Sequence, residues 1–137
     1  MKRKVIYVFL SSIFLFGCQS AVLIDHLIGY YYLTAPDDDT QCSLTFHEPS
    51  DGGTYSGIVN QTVFSVGFNG KYIIVKQHPD DNRKIINYFI VPIQDHLTRE
   101  NINTVFGPLN YDRFIAKRHE LMIPDSLQFT KEYEDLK

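Results

Sequence analysis

Two β-type runs joined by Asn69-Gly70 constrain this chain more than any other feature. Val63-Phe64-Ser65-Val66-Gly67-Phe68 leads into the dipeptide, and Lys71-Tyr72-Ile73-Ile74-Val75-Lys76 leaves it. Both turn residues tolerate positive φ, so a two-residue type I′ hairpin is expected. Such a turn fixes the register, setting Phe68 opposite Lys71, Val66 opposite Ile73 and Phe64 opposite Val75. Apart from Lys71 these pairs are apolar and are assigned to the core. Ser65 with Ile74 and Gly67 with Tyr72 make the other, wetter face.

The remaining elements extend this hairpin. Ile28 to Thr34 reads as a first strand and Cys42 to His47 as a second, with Leu44 and Phe46 on one face. The turns are Asp37-Asp38-Asp39, Pro49 to Gly53 and His78 to Arg83. Ile85 to Val91 is a near-continuous apolar run and reads as a central strand, closing a meander. The period then changes. Asn110 is a plausible N-cap, followed by Tyr111, Phe114, Ile115, Arg118 and Leu121-Met122 at helical spacing, and Pro124 ends the helix. Thr98 to Phe106 carries a fainter helical stripe, and Leu127-Gln128-Phe129 reads as a short last strand. The expected class is α+β: a small antiparallel sheet of about five strands with one C-terminal helix packed on it. Aromatics make up 14% of the chain without any Trp, so Phe and Tyr carry the aromatic core, which suits strands.

The N-terminus has its own grammar. Lys2-Arg3-Lys4 is a positive run, Val5 to Phe16 is apolar, and Leu15-Phe16-Gly17-Cys18 closes it, the pattern of a secretory signal. The apolar run alone would rise about 18 Å as a helix, short of a hydrocarbon core of about 30 Å. The closing tetrapeptide resembles the lipobox of bacterial lipoproteins. That resemblance implies a signal peptide at 1–17, a lipid on Cys18, a short linker to residue 25 and one globular domain over 26–137. Phe16 departs from the small or β-branched residue usual at its place. Gln19 after the cysteine, by resemblance to the sorting rules of double-membrane bacteria, implies the periplasmic face of the outer membrane.

Nearly the whole mature chain resembles a family of short bacterial lipoproteins carrying a domain of unknown function. The residues that suggest it are Lys71-Tyr-Ile-Ile-Val-Lys-Gln-His-Pro79, Asn87-Tyr-Phe-Ile-Val91, Gly107-Pro108-Leu109 and Ile123-Pro124-Asp125-Ser126-Leu127. These motifs are structural in character, and the resemblance brings no catalytic residue.

Charge narrows the function. Removing Lys2, Arg3 and Lys4 with the leader takes the net charge from -3 to -6. An acidic domain without a basic run is a poor polyanion binder, so nucleic acid is set aside. With Cys18 lipidated, Cys42 has no partner and reads as a small strand residue.

No constellation of catalytic residues stands out. His47-Glu48 lacks the rest of a zinc motif, and strand neighbours point to opposite faces. His78 with Asp80 and Asp81 is ordinary turn chemistry before it is a metal or hydrolase site. Asp37-Asp38-Asp39 lacks the ligand spacing of a calcium loop. The five histidines (His26, His47, His78, His96, His119) come without a nucleophile motif. Lys117-Arg118-His119 is assigned to the helix's outer side near its C-terminus, where positive charge suits the helix dipole. No metal and no cofactor is expected.

Tyr30-Tyr31-Tyr32, with Tyr72 and Ile74 on the sheet's mixed face, is the candidate binding surface, because exposed phenols favour protein contacts. The expected function is a non-enzymatic, membrane-tethered envelope lipoprotein with a protein partner. One alternative is a periplasmic immunity protein against a basic toxin, suited by the acidic charge. The other is a small hydrolase with a loop site near His78.

Overall fold

A computed structural model describes residues 23–47, 50, 52, 54–95 and 104–137. Among the described residues the strands are β1 (Leu23–Ile28), β2 (Tyr31–Ala35), β3 (Ser43–Phe46), β4 (Ser56–Val59), β5 (Val63–Phe68), β6 (Tyr72–Gln77), β7 (Asn87–Pro92), β8 (Phe106–Leu109) and β9 (Lys131–Glu132). Helix α1 spans Tyr111–Glu120. The strands form two antiparallel sheets, β1-β2-β3-β4 and β8-β7-β6-β5-β9. The fold is α+β and mostly β. The expected meander β5-β6-β7 is present as the centre of the second sheet.

Three layers result. The second sheet lies in the middle. Val66, Ile73, Val75 and Val91 pack with Leu33, Leu44 and Phe46 of the first sheet. Its other face carries Ile74 and Ile90, which pack with Phe114 of α1 and with Ile123 and Leu127. Neither face of β5 and β6 is wet, which corrects the expected mixed face: Ser65 and Ile74 are both fully buried. The covering layer is α1 with the segment that follows it, through Phe114, Ile123 and Leu127. Beyond that segment the chain joins the sheet's edge beside β5, where Thr130 N–H bonds to Val66 O at 3.0 Å and Tyr133 N–H to Phe64 O at 2.8 Å.

The hairpin register also differs from the type I′ expectation. Phe68 pairs with Ile73, Gly67 with Ile74 and Val66 with Val75, two residues along from the expected partners. Asn69 is the cause. Its side-chain oxygen accepts from Lys71 N–H (2.8 Å) and Tyr72 N–H (2.9 Å), while its own N–H donates to Tyr72 O at 3.0 Å. Asn69 and Gly70 both keep negative φ. The Asn side chain thus builds a wider, side-chain-capped loop in place of the two-residue turn. A two-residue shift preserves side-chain parity, so the faces come out as assigned.

Other elements move at their ends. Gly29, at φ 55, and Tyr30 form a turn that splits the expected first strand into β1 and β2. Leu23 to Asp25, expected to be linker, belong to β1. Strand β4 had no expected counterpart. Phe106, the end of the fainter helical stripe, opens β8; residues 98–103 of that stripe lie outside the described residues, as do His96, Cys18, the leader and Glu48. The last strand sits at Lys131–Glu132, not at Leu127–Phe129. Ile85 and Ile86 stay exposed ahead of β7. Helix α1 begins where expected, with Asn110 Oδ1 accepting from Arg113 N–H at 2.9 Å.

Candidate functional site

Strand alternation sends Leu33 and Ala35 inward and leaves Tyr32 and Thr34 on the outer face of the first sheet. Cross-strand pairing extends that face into two rows. Ile24, Thr34 and Ser43 form one; His26, Tyr32, Thr45 and Gly57 form the other. His47 and Tyr55 flank them. Tyr32 is the hub, with ring centroids 4.8 Å from His26, 6.0 Å from His47 and 5.6 Å from Tyr55. His47 stacks on Tyr55 at 4.5 Å.

Backbone bonds hold the rings. His26 Nε2 lies 2.8 Å from Gly29 O, and His47 Nδ1 lies 3.3 Å from Thr54 O. The Thr34 hydroxyl donates to Thr45 Oγ1, and Thr45 donates to Tyr32 O, both at 3.3 Å. A shallow concavity of about 340 Å³ runs over Thr34, Ser43, Thr45 and Tyr55. Ile24 closes one side and is 51% exposed. None of the nine residues on this face is Asp, Glu, Lys or Arg. The face is polar through hydroxyls and rings, without formal charge.

The five residues of the expected binding surface do not lie together. Tyr32 is on the face just described. Tyr30 lies in the turn, half-buried, its ring edge against Phe46 at 5.7 Å. Tyr31 is a core residue at 1% exposure; its hydroxyl donates to Pro92 O (3.3 Å) and accepts from Gln94 N–H (3.2 Å). Ile74 is fully buried under α1. Tyr72 is half-buried on that same far side, its hydroxyl donating to Leu121 O at 3.5 Å. The triple tyrosine spans a turn and a strand start, so its alternation begins only at Tyr31. Tyr55 escaped sequence reading because Ser56-Gly57-Ile58-Val59 is too short and Gly-containing to announce a strand, and His26 because it lies on β1, ahead of the expected first strand.

The other singled-out groups resolve into structural roles. His78 is 2% exposed, stacks on Phe64 at 4.1 Å and donates from Nδ1 to Ile85 O at 2.8 Å. Its Nε2 is buried with no hydrogen-bond partner among the described residues. Asp80 and Asp81 remain exposed in the adjoining turn at positive φ. A buried imidazole beside solvated carboxylates does not assemble a loop site. Asp38 accepts from Thr40 N–H (2.6 Å) and the Thr40 hydroxyl (2.5 Å), which hold its carboxyl below the usual range. Cys42 is fully buried, and burial, then the charges of Asp39 and Asp25, push its thiol up to about 12. Lys117 pairs with Glu120 at 2.6 Å, but Arg118, expected on the outer side, turns inward and is 9% exposed. Among the described residues, no three His, Cys, Asp or Glu side chains are placed to hold a metal ion. No described helix is long and apolar enough to cross a membrane.

A family model described as a protein of unknown function, DUF3997, matches residues 28–135. The chain belongs to this family. The match runs from the end of β1 almost to the C-terminus and so takes in β2 to β9 and α1. No curated protein and no solved structure matches the chain.

Proposed function

We propose that this DUF3997 protein is a lipid-anchored lipoprotein of the bacterial envelope that binds a protein partner through the outer face of its first sheet. The anchor is Cys18, and the location is the periplasmic face of the outer membrane. The observation that carries the binding role is the uncharged aromatic face itself. In a mature chain of net charge -6, the nine neighbouring residues of this face, of which only Thr45 is buried, hold no formal charge while presenting two tyrosines, two histidines and an exposed isoleucine. Centres of protein interfaces are depleted in charge and enriched in Tyr for the same physical reason: charged groups are costly to desolvate, whereas phenols bury large area at little entropic cost.

The tether supports this reading through distance. Leu23 opens β1 five positions after Cys18. Even fully extended, that stretch reaches at most about 18 Å. The face that carries Ile24 and His26 is thereby kept close to the bilayer, within reach of a membrane-bound partner. The acidic surplus elsewhere favours a partner with basic side chains around the contact.

Two measurements test the two parts separately. Intact mass of the protein from cells, with and without a lipoprotein signal peptidase inhibitor, tests the anchor. A chain beginning at acylated Cys18 supports it, and an uncut Met1 or unmodified Cys18 overturns it. For the face, Tyr32→Ala and Tyr55→Ala should each weaken capture of the envelope partner about ten-fold or more, as expected for central interface tyrosines. Capture equal to the native protein by both folded variants would sink the assignment.

A further inference from the structure

On the opposite side of the molecule, α1 and the C-terminal segment leave a cleft of about 380 Å³ against β6 and β7. That volume lies within the range of small-molecule sites. Its walls are aromatic. Tyr88 stacks on Phe114 at 4.9 Å and meets Tyr111 edge-on at 5.6 Å, and Phe129 lies 6.0 Å from Phe114.

Arg118 is the unusual member. It is 9% exposed yet has no carboxylate partner among the described residues. One guanidinium nitrogen, Nη2, donates to Pro124 O (3.0 Å) and Leu127 O (2.9 Å), which fixes the group against the cleft wall. Its other N–H groups bond to no described residue, although the side chain lines the cleft. A buried cation without a counter-charge is costly, and an incoming anion offsets that cost. Lys76 adds a second cation over the Phe129 ring, 4.4 Å from its centroid, and is itself 3.6 Å from Glu132. Asp125 lines the cleft as an exposed opposing charge, and His119 also reaches it.

We infer that this cleft binds a small molecule that joins a flat, apolar ring to a carboxylate. The ring lies among Tyr88, Tyr111 and Phe129, and the carboxylate meets the free edge of the Arg118 guanidinium. This site is independent of the protein-binding face and lies across two layers from it.

The test uses the full chain in detergent and three probes observed by NMR: 4-fluorobenzoate, neutral 4-fluorobenzamide and inorganic phosphate. Binding of 4-fluorobenzoate is expected, with the neutral amide at least about ten-fold weaker because it forfeits the charge-assisted bond. Phosphate alone, lacking the ring, should also bind at least about ten-fold more weakly. Tyr111 is 59% exposed, so Tyr111→Ala should fold normally and weaken 4-fluorobenzoate by about three- to ten-fold. Arg118→Lys keeps the charge but not the planar fork and should weaken it further. Equal affinity for benzoate and benzamide, no binding at millimolar benzoate, or affinity unchanged in a folded Tyr111→Ala protein would each overturn the assignment.

Discussion

The carbonyl of Gln128 lies directly over Gly67, in the space that a Cβ at residue 67 would occupy. The Gln128 carbonyl carbon and Phe129 Cα crowd the same point, so the C-terminal segment closes on the central sheet only because residue 67 has no side chain. Gly67→Ala is expected to cost about 1–3 kcal/mol or more, since backbone must shift to admit the methyl group. A Cβ at Gly70 would meet no described residue within 4 Å. Gly70→Ala is the matched control and should move stability by no more than about 0.5 kcal/mol. Thermal unfolding of the two variants by circular dichroism checks the difference.

Cys42 makes stability depend on alkaline pH. Above pH 9 the thiol of the unfolded chain gives up its proton, while the folded thiol, held at about 12, keeps it. The folded state then binds more protons, so stability is fully present below pH 9 and falls as pH rises toward 12. Tyr133, Tyr31 and Tyr88 act in the same direction above pH 10, their phenols raised chiefly by burial. Cys42→Ser, by contrast, should flatten the part of the profile between pH 9 and pH 10. Iodoacetamide at pH 8 should leave Cys42 unmodified in the native protein and alkylate it in denaturant, which mass spectrometry reads directly.

The Asp25 carboxylate joins the first strand to the last. Its Oδ2 accepts from Lys131 Nζ at 2.6 Å and from the Tyr133 hydroxyl at 3.0 Å. Asp25 and Lys131 are partly solvated, so the ion pair contributes little; the phenol bond is the larger part. A double-mutant cycle between Asp25→Asn and Tyr133→Phe should return a coupling of about 0.5–1.5 kcal/mol by denaturant unfolding. A coupling indistinguishable from zero would mean that the N-terminal strand is not held at that point.

His78 is expected to behave as a core residue. His78→Ala removes the stack on Phe64 and the bond to Ile85 O, and should cost about 2–4 kcal/mol in equilibrium unfolding. Asp80→Ala, at an exposed turn position, should cost far less. Comparable small effects from both would place His78 outside the core.

Much of the fold was legible because its strongest signals are local. The β5-β6-β7 meander follows from apolar alternation between turn residues, and α1 from an N-cap and a helical period. The faces of β5 and β6 survived a wrong register because Asn69 shifts the pairing by an even number of residues. What stayed hidden depends on contacts distant in sequence. Nothing near Ile74 reveals that Ile123 and Leu127 return to cover it, and nothing near Ser65 reveals that Glu132 pairs beside it. Nothing near Tyr31 reveals that its hydroxyl meets Pro92 and Gln94, 61 and 63 positions away. The candidate face was half legible for the same reason: Tyr32 was visible in the triple tyrosine, whereas His26 and Tyr55 reach it only through sheet pairing. Arg118 sat at a helical position that read equally as stripe and as outer charge, and only the layer beneath decides between them.

Site-specific photo-crosslinking in living cells tests the central claim most directly. Tyr32 and, separately, the exposed helix residue Asp112 would be replaced by p-benzoylphenylalanine in the otherwise native chain. A discrete crosslinked envelope protein is expected from position 32, lost when Tyr55→Ala is added, and none from position 112. Crosslinking from position 112 alone, equal crosslinking from both positions, or none from position 32 would contradict it.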